Sequence, residues 1–324
     1  MLRQRSRSGA AKPSQASPSP DTRRSPARRS DIMHGVSCML AASLLFSIMN
    51  ACVFGATRAD PALPSTVVSF IRVIINLACL LVPALAVGRL RPLLGDLRPS
   101  LWWRGIFGAT ALMLSFAAIA RIGVGEAAFL HSSSGIFLAL LSPWVLGQHA
   151  SRWSWLAIFG SLAGLALLLS PRWEYGHWLG PTMALSSGWL AALAYLMVAR
   201  SGLSNTPSTI VFYFCFVGIL LHLACFAWIA PHWPRGHATW FWIGGSGLAA
   251  TGAQLLMTRA YQHAPAALLG AVGYTGPVFS LGWSVLLFGQ RPDTLPLLGC
   301  ALVLVCGAAL PLLIARAQTP RDAA

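Results

Sequence analysis

Side chains able to do chemistry are scarce in this chain, and those inside long apolar runs stand out. Arg72 is followed one helical turn later by Asn76 on the same face. His131-Ser-Ser-Ser134 forms a polar run, Tyr274-Thr275 forms a second, and Asn50, Tyr195 and Gln254 supply further hydrogen-bonding groups at depth. Glu126 is the sole acid near the middle of an apolar stretch. An Arg fork binds both oxygens of a carboxylate or phosphate. Glu126 and His131 can each exchange a proton, and the hydroxyls and amides can take over hydrogen bonds that a polar solute gives up on leaving water. Each group also has a plain structural role open to it: Ser and Thr can bond back to their own helix, His131 can be a satisfied core histidine, and Tyr195 can be an interfacial aromatic near Arg200. Arg72 can pair with Glu126 or with carbonyls at a helix end, and Glu126 can be a loop acid beside Arg121.

The elements that must position these groups are membrane helices. Of 324 residues, 56% are hydrophobic and 10% charged, whereas a soluble domain is about one-quarter charged. Uncharged runs long enough for helices of roughly 20 residues recur along the whole chain. The expected spans are ten: 34–56, 64–87, 101–120, 123–146, 153–171, 179–199, 207–230, 240–260, 265–288 and 294–314. Arg104 and Arg121 bound the third span, and from the helix ends they are expected to snorkel to the headgroups. The seven cysteines fall inside apolar spans and are odd in number, so neither a disulfide framework nor a metal site is expected.

The net charge of +15 sorts by side of the membrane rather than forming a nucleic-acid surface. With a cytoplasmic start and the eight basic residues of the tail set aside, nine fall on the inner side, Arg104 among them, and five on the outer. That bias places both termini in the cytoplasm, and a cytoplasmic (inner) membrane is the simplest home. Residues 1–33 form a basic tail rich in Arg, Ser and Pro, expected to be disordered, with Met33 at its junction with the first span expected as the physiological start. Residues 316–324 are a short cytoplasmic tail.

The sequence repeats itself. Pro64-Ser-Thr-Val-Val recurs as Pro207-Ser-Thr-Ile-Val, and Leu146-Gly-Gln recurs as Phe288-Gly-Gln, at a shift of 142 to 143 residues. Two repeats, 34–174 and 175–315, each hold five spans. An odd number of spans turns the second copy upside down relative to the first, an inverted repeat.

Met257-Thr-Arg-Ala-Tyr-Gln-His-Ala-Pro-Ala-Ala-Leu268, Gly276-Pro-Val-Phe279, Phe288-Gly-Gln290 and the helix from Gly299 to Gly307 resemble, in order and spacing, the end of an EamA repeat. Leu44-Leu-Phe-Ser-Ile-Met-Asn50 resembles the start of one. Over about residues 34 to 315 the chain is thus similar to the two-EamA-domain proteins of the drug/metabolite transporter superfamily. The resemblance implies a central cavity surrounded by helices one to four and six to nine, with helices five and ten behind. It departs from the family at Gln148 and Gln290, where Glu is usual, and at Gly135, where Pro is usual.

These readings lead to a secondary transporter of small organic metabolites working by alternating access, with export favoured. The expected substrate cavity comprises Asn50, Arg72, Asn76, His131, Ser132, Ser133, Ser134, Tyr195, Gln254, Tyr274 and Thr275, with Glu126 and His131 as proton carriers. Its expected partners are a small-molecule substrate and the lipid bilayer, and not nucleic acid; no cofactor, metal or catalytic residue is expected. Gly160 and Gly164 form a GxxxG pair that fits either a homodimer or helix packing within one chain. A rival class is a rhomboid-like intramembrane serine protease, with Ser246 of Gly244-Gly-Ser-Gly247 as nucleophile. It needs a histidine base close to Ser246, and His263 lies about four and a half turns away along the span.

Overall fold

The computed structural model describes residues 29–169, 178–228, 230–289 and 294–317. Among these residues it is all helical: α1 (Arg29–Ala59), α2 (Ser65–Ala86), α3 (Arg91–Leu94), α4 (Pro99–His131), α5 (Ser134–Leu146), α6 (Arg152–Leu169), α7 (Leu179–Ser201), α8 (Pro207–Phe226), α9 (His237–His263), α10 (Ala266–Gly273), α11 (Thr275–Phe288) and α12 (Thr294–Ala317). Among the described residues six segments are long and apolar enough to cross a membrane: Ser30–Ala59, Ser65–Ala86, Pro99–Ala118, Phe129–Leu146, Leu179–Ser201 and Pro207–Phe226. α9 is longer than most of these but more polar, carrying Thr251, Gln254 and Thr258 on buried positions. Packed against α1, α2 and α8, it turns that face to protein and has less need of an apolar surface.

Both repeated motifs prove to be helix punctuation. Pro64 sits in extended conformation just before α2, and Pro207 is the first residue of α8, where its missing N–H costs nothing. Thr206 caps α8 by accepting the Thr209 N–H at 3.3 Å. Gly147 ends α5 at φ 65° and Gly289 follows α11 at φ 64°. This left-handed cap is open to glycine at little steric cost. Gln148 then bridges the halves, its Oε1 accepting the Ala266 N–H at 3.3 Å at the start of α10; a neutral Gln serves this cap as a Glu would. Gln290 lies outside the described residues.

The path of α4 corrects a simple one-helix reading of Pro99–His131. The Ser201 hydroxyl donates to Ser100 Oγ at 2.8 Å, placing the start of α4 at the end of α7. Gly180, near the start of α7, lies against Arg121 and Ile122, and Gly188 lies against Leu130, His131 and Ser133. The chain therefore runs antiparallel to α7 as far as Arg121 and parallel to it afterwards, as separate third and fourth spans require. The fourth and ninth spans are each interrupted, at Ser132–Ser133 and at Tyr274, where the backbone keeps right-handed helical angles but tightens to hydrogen bonds three residues back, a local break in the α-helical ladder.

α6 and α12 pack on each other through small residues. A β-carbon on Gly164 would lie 2.8 Å from the Val303 side chain and 2.9 Å from the Gly299 carbonyl, and one on Gly160 would meet Cys306 Sγ at 2.5 Å. The GxxxG pair thus joins two helices of the same chain. Among the described residues α1 runs from Arg29 and carries Asp31 in its first turn, where a carboxylate meets the exposed N–H groups favourably. Ile32 is already fully buried. Residues 1–28 and 318–324 lie outside the described residues.

Candidate functional site

One polar region forms where α1, α2, α4, α8 and α9 meet. Arg72 on α2 is 3% exposed, and its Nη1 points at Met49 Sδ on α1 at 3.1 Å. Thioether sulfur is a weak acceptor, and Arg72 Nε has no partner. One turn on, Asn76 is fully buried. With its amide nitrogen turned toward acceptors, it donates to the Arg72 carbonyl at 3.0 Å and to the Thr251 hydroxyl at 2.9 Å. That hydroxyl in turn donates to the Gly247 carbonyl at 2.9 Å.

The same region holds a second buried arginine. Arg104 on α4 is 2% exposed; its Nη2 donates to Gln254 Oε1 on α9 at 3.1 Å, and its guanidinium stands over the Phe214 ring, 4.6 Å from the centroid. Its Nε also lacks a partner. The expectation that Arg104 snorkels to the headgroups is therefore wrong. α8 packs closely over α4, where a β-carbon on Gly105 would lie 2.8 Å from the Tyr213 carbonyl, and this covers the arginine. Gly108, one turn after Arg104, leaves the slot that the guanidinium fills, since a β-carbon there would collide with Nη1. That Arg-x-x-x-Gly spacing was the available sequence signal. Tyr195 and Tyr261 stack beside this arginine, 5.7 Å apart at 17°. Cys215 lies within electrostatic range of both arginines. Among the described residues, neither Arg72 nor Arg104 makes an ion pair; the pairing of Arg72 with Glu126 cannot be traced, because the Glu126 side chain lies outside the described residues.

A second polar cluster surrounds the two helix breaks. The Tyr274 hydroxyl donates to the Ser132 carbonyl at 2.7 Å, and Gly135 makes room for it, since a β-carbon there would strike the hydroxyl. The Ser187 hydroxyl donates to the Ala184 carbonyl at 2.9 Å. With its hydrogen directed there, its oxygen faces His131 Nδ1 at 2.7 Å as an acceptor, which calls for the Nδ1–H form of the ring. Ser133 and Thr275 bond back to the carbonyls of Leu130 and Val272 at 2.6 and 2.8 Å, so these two hydroxyls serve their own helices. Ser134 opens α5 and is half-buried. Asn50 is exposed on α1 and joins neither cluster.

Arg104, Ser187, Thr251 and Tyr261 were absent from the sequence-based set. Ser246 donates to the Ile243 carbonyl at 2.9 Å within its own helix. His222 engages the Gly218 carbonyl and Ser69, His263 the Arg259 carbonyl, and His131 Ser187. No geometry here supports a protease. A cleft of about 540 Å³ between α2, α3, α8 and α9, lined by Cys79, Pro83, Arg89, Leu93, Thr206 and Leu255, reaches neither Arg72 nor Arg104.

Apolar helices enclosing buried, hydrogen-bonding and cationic side chains are the frame of a multi-pass membrane protein. The chain belongs to the EamA-like transporter family, whose model matches it twice, over residues 33–170 and 178–311. It is 29% identical over 278 residues to the pseudopaline exporter CntI of Pseudomonas aeruginosa, covering 85% of this chain and 95% of that protein. It is 25% identical over 283 residues to a riboflavin transporter of Vibrio cholerae, covering 84% and 91%. In fold it is similar to a solved crystal structure at TM-score 0.76 and 20% identity, covering 90% of this chain and all of that one.

Proposed function

We propose that this protein is a secondary transporter that moves small organic metabolites across the cytoplasmic membrane by alternating access of two inverted five-helix repeats, in the direction of export. The observation that carries this reading is the meeting of two broken helices, at Ser132–Ser133 and Tyr274, joined by a hydrogen bond between residues 142 positions apart, the shift of the sequence repeat. Paired discontinuous helices from two repeats are where secondary transporters place their substrates. Ten passes account for the contacts. The start of α1 lies by the end of α9 through His34 and His263, its end lies by Trp242 through Gly55, and α7 runs first against and then along the two arms of α4. Export rests on the named exporter among its relatives. Glu126 and His131 are the groups proposed to carry the coupled proton.

The test is reconstitution into liposomes with a panel of labelled metabolites under imposed proton gradients, together with single-cysteine labelling of the loops at 60–64, 96–98, 148–151, 202–206 and 231–236. Flux driven by the gradient is expected. The first and last loops should label from outside and the other three from inside. A panel showing no flux, or loops 60–64 and 202–206 labelling from the same side, overturns the reading.

A further inference from the structure

The two buried arginines lie at different depths in one polar region, and the contacts along α9 measure their separation. Gly252 faces Leu45 and Gly245 faces Cys52, which sets Met49, and with it the Arg72 guanidinium, level with Leu248. Arg104 is held at Gln254. Six residues at 1.5 Å rise place the two guanidinium groups roughly 9 Å apart along the helix axis. Each is almost wholly buried with a partnerless Nε, and among the described residues no carboxylate of the chain meets either. A buried charge is costly unless it is paired. Here two positive charges share one interior, with neutral groups, Asn76, Thr251, Gln254, Tyr195 and Tyr261, around them.

We propose that the solute carried is a compact organic dianion, one anionic group held by Arg72 and the other by Arg104. This rests on the transporter reading and deepens it. A fork on each arginine takes two oxygens of a carboxylate or phosphate. Allowing about 4 Å from each guanidinium carbon to an anionic centre leaves only about 1 Å along the axis, so a short chain with an anion at each end fits when it lies alongside the line joining the two arginines rather than on it. The neutral amide and hydroxyl groups between them suit polar substituents on that chain.

The test uses purified full-length protein in two measurements, ligand-induced thermal stabilisation in detergent and counterflow in liposomes. The probes are succinate, glutarate, glycerol 3-phosphate, inorganic phosphate, butyrate, and an uncharged and a cationic solute. Succinate or glutarate should stabilise the protein and exchange at least tenfold better than butyrate; glycerol 3-phosphate in their place assigns one of the two anions as phosphate. Arg72→Gln and Arg104→Gln should each remove that preference, while Arg72→Lys and Arg104→Lys restore part of it. Both Gln variants should unfold, without ligand, at or above the wild-type temperature, since each removes a buried charge that meets no carboxylate among the described residues; a purely structural arginine, or one paired with Glu126, would lower it. Equal exchange of butyrate and succinate, a preference that survives in the Gln variants, or no response to any dianion overturns the proposal. Exchange of the uncharged or cationic solute without the dianions overturns it and leaves the transporter reading intact. Arginine-dependent binding of dianions with no flux of any solute sustains the anion site and overturns transport.

Discussion

The Tyr274 hydroxyl donates to the Ser132 carbonyl across 142 residues, so a side chain in the break of one repeat bonds the backbone in the break of the other. Tyr274→Phe removes the donor and keeps the ring. Its expected cost is about 1 kcal/mol, the net worth of one hydrogen bond, read as a lower unfolding temperature in detergent, together with a fall in flux. Wild-type flux and stability would show that this bond does not couple the halves.

The α6–α12 contact has no spare volume at Gly164. Gly164→Leu should overpack it by about 1–3 kcal/mol, lowering yield and unfolding temperature, whereas Gly160→Ala has only the Cys306 side chain to displace and should be milder. Chemical cross-linking of the wild type would show whether this surface also forms dimers; since it is occupied within the chain, none is expected through it.

Outside the spans, Asp96 clasps the two halves together. Ser204 Oγ donates to its Oδ2 at 2.7 Å and Asn205 Nδ2 to its Oδ1 at 2.9 Å, with the Arg98 guanidinium at 2.9 Å. Partial desolvation raises the carboxyl, but these hydrogen bonds, that from the Arg98 amide and the Arg98 charge outweigh it and hold Asp96 below its ordinary value. A carboxyl so depressed contributes stability at neutral pH that is lost as pH falls through its folded pKa. Wild type should therefore be more stable than Asp96→Asn at pH 7, the difference should hold down to about pH 4, and it should shrink only below that, as pH falls through the depressed folded value. A constant difference across that range would remove Asp96 charge from the account.

Proton coupling is tested by the pH dependence of flux. His131→Gln keeps a hydrogen-bonding side chain near Ser187 but cannot titrate, and Glu126→Gln likewise. If either group carries the proton, its variant should retain substrate exchange while gradient-driven flux loses its pH dependence. Unchanged profiles in both would exclude both groups.

Much of the fold was legible because the bilayer demands apolar helices of set length and because duplicated punctuation survives as local motifs: Pro64 and Pro207 start helices, and Gly147 and Gly289 end them. The site was legible in part. Arg72, Asn76 and Gln254 were expected from polarity at depth, and they do gather in one region. Arg104 was misplaced because a residue five positions into a helix can snorkel or turn inward, and only the neighbour packed over it decides.

By itself the sequence determined a twice-repeated, helical membrane chain and the short roster of polar side chains within it, since hydropathy, helix punctuation and repeat spacing are local properties. Tertiary structure alone decided which of those side chains meet. Tyr274 reaches Ser132 because Gly135 clears its path, and Arg104 is buried because α8 closes over Gly105 and Gly108. Both outcomes depend on helix-to-helix distance, which no single stretch of sequence encodes.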